Sequence, residues 1–203
     1  MRSVGWLAAG LCVLAGPVQR SSAEDWSFSG SAFAYFVPTD RNYLSPTVTA
    51  DRGSLHLEGR YNYENLDTGS VFLGRNFHAG RKLTLDATAM LGGVFGKATG
   101  IAPGYELTLS FGGFEFSNDG EYVFDLEDSS GSFFYVWAQL THAPRKWLSV
   151  GLVAQRTRAY QTSLDIQRGL LVGFSYRKVS LTAYEFNLGW TSPTVVFSVG
   201  ATF

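Results

Sequence analysis

The sequence predicts an all-β fold: an antiparallel up-and-down β-barrel whose strands carry one apolar and one polar face. Segments of about ten residues alternate apolar and polar side chains from residue 26 to the C-terminus, with turn-rich stretches between them. The final segment, 194–203, has Val195, Phe197, Val199 and Ala201 on one face and ends on Phe203. The 203 residues include 16 Phe, 10 Tyr and 5 Trp but are only 16% charged, too few charges to cover a water-facing surface.

Composition excludes several classes. A 45% hydrophobic chain with net charge −1 is not disordered, and it lacks the basic surplus of a nucleic-acid binder. One cysteine rules out a disulfide framework or a cysteine-based zinc site. The length allows one domain, or two small ones at most.

Residues 1–23 read as a secretory signal. Arg2 supplies the positive start, 4–18 the mostly apolar core, and Ser21-Ser22-Ala23 the small residues before a cleavage preceding Glu24. The core is shorter than the ~20 apolar residues a membrane helix needs. Cys12 follows Leu11, where a lipoprotein signal would carry a small residue. Residues 24–203 contain no apolar run long enough for a membrane helix.

Twelve strands are expected. The first, 26–37, places Trp26, Phe28, Ala32, Ala34 and Phe36 on one face; the second, 43–50, is interrupted by Pro46. The third, 53–65, alternates Leu55, Leu57, Tyr61 and Tyr63 with His56, Glu58, Arg60 and Glu64. The fourth is 69–78; the fifth, 81–95, alternates Leu83, Leu85, Ala87, Ala89 and Leu91 with polar residues. The sixth, 104–117, slips phase at Gly112-Gly113 as a bulge would cause, and the seventh is 120–127. The last five are 132–142, 146–159, 168–177, 179–190 and 194–203. Reading segments two and seven as loops gives ten strands instead.

A terminal strand of this pattern, ending in a free aromatic behind an N-terminal export signal, resembles the last strand of bacterial outer-membrane β-barrels. The resemblance spans residues 24–203, is generic in its motifs, and implies a transmembrane barrel. It implies bacterial outer-membrane lipid as surroundings and the outer-membrane assembly machinery, reading the strand that ends in Phe203, as partner. Both chain ends would then lie on the periplasmic side, so the strand count is even. Short turns would fall at 51–52, 79–80, 118–120, 143–145 and 177–178. The aromatics Trp26, Phe77, Trp147, Tyr176 and Phe203 would then form a periplasmic-side girdle. Phe36, Tyr63, Tyr105, Tyr160 and Trp190 would form an outer one. The alternative class is a secreted soluble β-protein, although such a flat, uncharged, apolar edge strand would aggregate.

On the inward phase fall Glu58, Arg60, Glu64, Asp86, Glu106, Glu115, Asp125 and Glu185, with His56, Lys82 and Gln139, and the rings of Tyr35, Tyr135, Trp137 and Tyr184. Isolated charges cannot occupy a dry core, so the lumen is either watered or filled by a paired network. Glu58, Arg60, Asp86, Glu106, Glu115, Tyr135 and Trp137 are the expected lining of a narrow pore for small polar or cationic solutes. The alternative is a closed structural or surface-interaction barrel in which these residues fill the cross-section. A barrel lipid hydrolase would carry a serine two residues after a histidine. Here the three histidines are followed at that spacing by Glu58, Gly80 and Pro144, so no enzyme is expected. His56 and Glu58 share a strand face, but two ligands do not make a metal site. Neither metal nor cofactor is expected.

Overall fold

The computed structural model describes residues 25–38, 41–156, 166–189 and 193–203. The signal segment 1–23, Tyr160 and the expected girdle residue Trp190 lie outside the described residues. The chain forms twelve strands: β1 (Ser27–Phe36), β2 (Tyr43–Arg52), β3 (Leu55–Tyr61), β4 (Thr68–Gly80), β5 (Thr84–Gly96), β6 (Gly100–Phe111), β7 (Phe114–Asp125), β8 (Phe133–Arg145), β9 (Leu148–Arg156), β10 (Gln167–Tyr176), β11 (Val179–Phe186) and β12 (Thr194–Thr202). Each pairs antiparallel with its sequence neighbours, and β1 closes on β12, from Ser29 opposite Thr202 to Phe36 opposite Val195. The Phe203 amide donates to the Phe28 carbonyl at 2.9 Å, extending the seam. Closure leaves no open sheet edge, the condition for a β-structure to sit in hydrocarbon, where unpaired backbone groups find no water.

At one end the strands are joined by tight turns at 53–54, 81–83, 112–113, 146–147 and 177–178; most connections at the other end are longer, including 37–42, 62–67 and 126–132. The third tight turn corrects the expected strand boundaries. Gly112 (φ 58°) and Gly113 (φ 85°) form a two-residue hairpin requiring positive φ at both positions, so they end β6 rather than bulge within it. Asn118-Asp119-Gly120, expected as a turn, lies inside β7. Gly120 is opposite Tyr105, whose ring covers it: a Cβ there would meet ring atoms at 2.7–2.8 Å. Pro46 is tolerated within β2 because pairing with β3 begins only at Thr47.

The period-two alternation sorts side chains as the sequence anticipates. Leu55 and Leu57, Val71 and Leu73, Leu140, Leu152, Leu170, Leu181, Phe197 and Val199 are exposed on the outside of the wall. A water-facing monomer rarely exposes contiguous apolar surface beyond a few hundred Å². Here such residues ring the whole barrel, a surface suited to hydrocarbon. Among the described residues no helix is long and apolar enough to cross a membrane; the strands carry the apolar belt.

Candidate functional site

The inward phase of β3 places His56, Glu58 and Arg60 in one row, all buried. Arg60 Nε donates to Glu58 Oε1. Its Nη1 donates to Glu121 Oε2 on β7 at 3.0 Å and stands 3.9 Å from Glu64 Oε1. Its Nη2 lies 3.9 Å from Glu106 Oε1 on β6. The guanidinium faces are covered by the Tyr63 ring at 4.2 Å and the Phe72 ring at 4.4 Å. A planar fork held at its edge by carboxylates and at its faces by rings has few alternative positions. Phe72 can lie here because β5 carries Gly92 opposite it: a Cβ at Gly92 would come within 2.5 Å of that ring.

His56 continues the network toward the tight-turn end. Its Nδ1 pairs with Asp51 Oδ1 at 2.8 Å and its Nε2 with Glu58 Oε2 at 3.1 Å. Asn76 Nδ2 also donates to Asp51 Oδ1 at 2.7 Å, and Thr88 Oγ1 donates to Asn76 Oδ1 at 2.7 Å. Four carboxylates, on Glu58, Glu64, Glu106 and Glu121, thus stand within 4 Å of a single guanidinium.

Beside this cluster, aromatic rings meet across the lumen. Phe33 on β1 and Trp137 on β8 approach to 5.9 Å between centroids, although their strands are far apart around the wall. Tyr63 and Tyr135 meet edge-on at 5.0 Å, and Trp137 also packs on Tyr184 at 5.4 Å and Phe186 at 5.5 Å. Tyr35, Val153, Leu171 and Val196 complete this cluster. A smaller one holds Phe72, Met90, Val94, Ala102 and Val123. Between network and rings lies a small, partly open cavity of about 30 Å³, whose lining includes Thr47, Glu58, Arg60, Tyr63, Glu106, Asp119, Tyr135 and Trp137.

Of the residues expected to line a pore, Glu58, Arg60, Glu106, Tyr135 and Trp137 come together at this cavity. Glu115 is buried but lies elsewhere, its Oε2 accepting from Ser110 Oγ at 3.2 Å. Asp86 is half-buried near the tight-turn end, 2.6 Å from His78 Nδ1. Glu185 is a correction: it is exposed, because its neighbour Tyr184 takes the inward position. Of the expected girdle, Trp26, Phe77, Trp147, Tyr176 and Phe203 are exposed at strand ends by the tight turns and termini. Tyr63 is a correction: β3 ends at Tyr61, Asn62 takes φ 56°, and the reversed chain turns the Tyr63 ring onto Arg60 and Tyr135. Tyr105 sits in mid-β6 rather than at a rim. Asp119 and Glu121 are lumen residues that the misplaced turn concealed. Moving the hairpin to Gly112-Gly113 would have put both on the inward phase with Glu115.

A closed twelve-stranded antiparallel barrel with an apolar exterior and a polar, charged interior is the architecture of bacterial outer-membrane β-barrels. Solved structures bear this out for the fold. The chain is similar to the outer membrane protein Omp33 of Acinetobacter baumannii, with TM-score 0.50 and 12% identity over 88% of this chain and 98% of that one. It also matches Pseudomonas aeruginosa OpdQ (TM-score 0.44, 9% identity, 83% of this chain and 57% of that one). Pseudomonas aeruginosa OccK5 (OpdH) matches with TM-score 0.44 and 8% identity, over 89% of this chain and 68% of that one. No protein-family model matches the chain, and no curated protein matches it significantly.

Proposed function

We propose that this chain is an integral outer-membrane barrel whose lumen is a narrow, acidic path for small polar or cationic solutes. The apolar belt around the wall and the fold shared with Omp33 support the location. The observation that carries the solute class is the excess of carboxylates at the lumen cavity, where Glu58, Glu106 and Asp119 share the lining with one cation, Arg60. Such a ring of fixed negative charge concentrates cations and repels anions. The Phe33–Trp137 and Tyr63–Tyr135 contacts leave no space for a bulky solute at their level. The reading is non-enzymatic: histidine nitrogens meet Asp51, Glu58, Asp86 and the Gly113 carbonyl, with no serine hydroxyl among these partners. The same cross-lumen contacts favour a second reading, a closed structural barrel.

Planar-bilayer recording separates the two. The pore reading expects a small, cation-selective conductance from the refolded protein and a larger one from Trp137→Ala. Silence from both proteins, each shown to be folded and inserted, would overturn the pore and leave the closed barrel.

A further inference from the structure

We propose that His56, Glu58 and Glu106 form a binding site for one divalent transition-metal ion inside the barrel. The proposal goes beyond solute passage and stands whether or not the lumen conducts. One donor atom from each residue lies within 4.8 Å of the others, and all three residues are buried. One imidazole with two carboxylates suits zinc and neighbouring first-row ions, and the two carboxylate charges match a divalent cation.

Two independent features point to a ligand. The first is Glu106. Only 8% of the residue is exposed, and among the described residues its carboxylate accepts no hydrogen bond; its charge is met by Arg60 Nη2 at 3.9 Å. A buried carboxylate held so loosely is costly unless a cation joins it. The second is the support behind His56. Nδ1 faces Asp51 Oδ1 at 2.8 Å, and that oxygen is fixed by Asn76. With a carboxylate at each ring nitrogen His56 donates from both; the Asp51 bond keeps the Nδ1 proton in place, so an arriving metal ion displaces the Nε2 proton and takes that lone pair, the arrangement found behind metal-bound histidines. Nε2 points at Glu58 Oε2, while Glu58 Oε1 is taken by Arg60. Donors on one ion stand at most about 4 Å apart, twice the ~2 Å metal–ligand length. The triad therefore closes by a shift of about an ångström, which Glu106 is free to make. The cavity that Glu58 and Glu106 line gives the ion its approach.

The test is calorimetric titration of zinc chloride into metal-free, detergent-refolded protein whose barrel state is verified by heat-modifiable gel migration. One saturable site is expected. Glu106→Gln, which removes no hydrogen bond, and His56→Gln should each weaken binding more than tenfold. Asp51→Asn should weaken it roughly 10- to 100-fold through the second ring nitrogen. His78→Gln, which disrupts the separate His78–Asp86 pair, should leave it unchanged. X-ray absorption of the zinc-loaded protein should show oxygen and nitrogen ligands with one imidazole. Absence of saturable binding by the wild type, or unchanged affinity in Glu106→Gln, would overturn the proposal. If His56→Gln does not fold, Glu106→Gln and Asp51→Asn carry the test.

Discussion

Replacing Arg60 by Met asks whether the lumen network holds the barrel together. The substitution keeps an unbranched side chain under the Tyr63 and Phe72 rings but removes the guanidinium between Glu58 and Glu121. Both carboxylates have side chains only 1% exposed, so water cannot take the cation's place. Removing one partner of a buried ion pair costs about 3–5 kcal/mol, chiefly because the other charge is left unmatched. At ~1.4 kcal/mol per tenfold change, that shifts the folding equilibrium roughly 10²- to 4,000-fold. The triple variant Arg60→Met, Glu58→Gln, Glu121→Gln removes the stranded charges and should recover most of the loss. The assay is equilibrium urea unfolding of barrels refolded into phospholipid vesicles, followed by tryptophan fluorescence. A loss under about 1 kcal/mol for Arg60→Met, the range of exposed pairs, would refute the reasoning. So would a triple variant no better than the single one.

Three further outcomes are expected. Burial holds the Glu64 carboxyl, in the connection after β3, above its usual range despite Arg60 nearby. The folded state therefore holds this proton to higher pH than the unfolded chain does, and the contribution to stability falls as pH rises from about 4.3 through the folded value. Glu64→Gln should match wild type at low pH and exceed it increasingly toward neutrality, as urea unfolding at several pH values will show. Gly92→Ala should cost about 1–3 kcal/mol in the same assay by displacing the Phe72 ring. Gly93→Ala, whose Cβ would meet nothing within 4 Å, should be near neutral. Deleting Phe203 should lower the amount of folded protein in outer-membrane fractions, since it removes the 2.9 Å bond to Phe28 that extends the β1–β12 seam.

The exterior was legible because a strand wall has a period of two and hydrocarbon tolerates almost no exception to it. Leu55, Leu57, Leu91, Phe197 and Val199 point outward as alternation requires. Boundaries were less legible where two stretches offered the same turn chemistry. Gly112-Gly113 and Asn118-Asp119-Gly120 are both turn-forming, and only strand register chooses between them. Only a turn at the first puts Asp119 and Glu121 on the inward phase of β7. Tyr63 departs from alternation for a different reason: period two holds only until the backbone leaves the sheet, which it does at Asn62. The Arg60 cluster was legible in kind but not in membership. His56, Glu58 and Arg60 are given by one strand's alternation, whereas Glu106 and Glu121 join them only because closure brings β6 and β7 round to face β3.

That closure also fixes where the molecule can change. The wall is a continuous ladder of backbone hydrogen bonds, so altering its girth would break a whole register. The lumen is crossed only by side chains. Trp137 is central to the occlusion, touching Phe33, Tyr184 and Phe186, and its indole Nε1 has no hydrogen-bond partner among the described residues. Its place is therefore held by ring contacts, worth about 0.5–1.5 kcal/mol each beyond area burial. Turning one such side chain aside costs a few kcal/mol and leaves the wall untouched. The Arg60 guanidinium is held instead by charge-assisted bonds to Glu58 on β3 and Glu121 on β7 and resists movement more strongly. Any passage through this barrel is thus set by an aromatic bar that can move beside an Arg60–Glu58–Glu121 cluster that does not. Trp137→Ala is the substitution that should change conductance while leaving ion preference with the carboxylates.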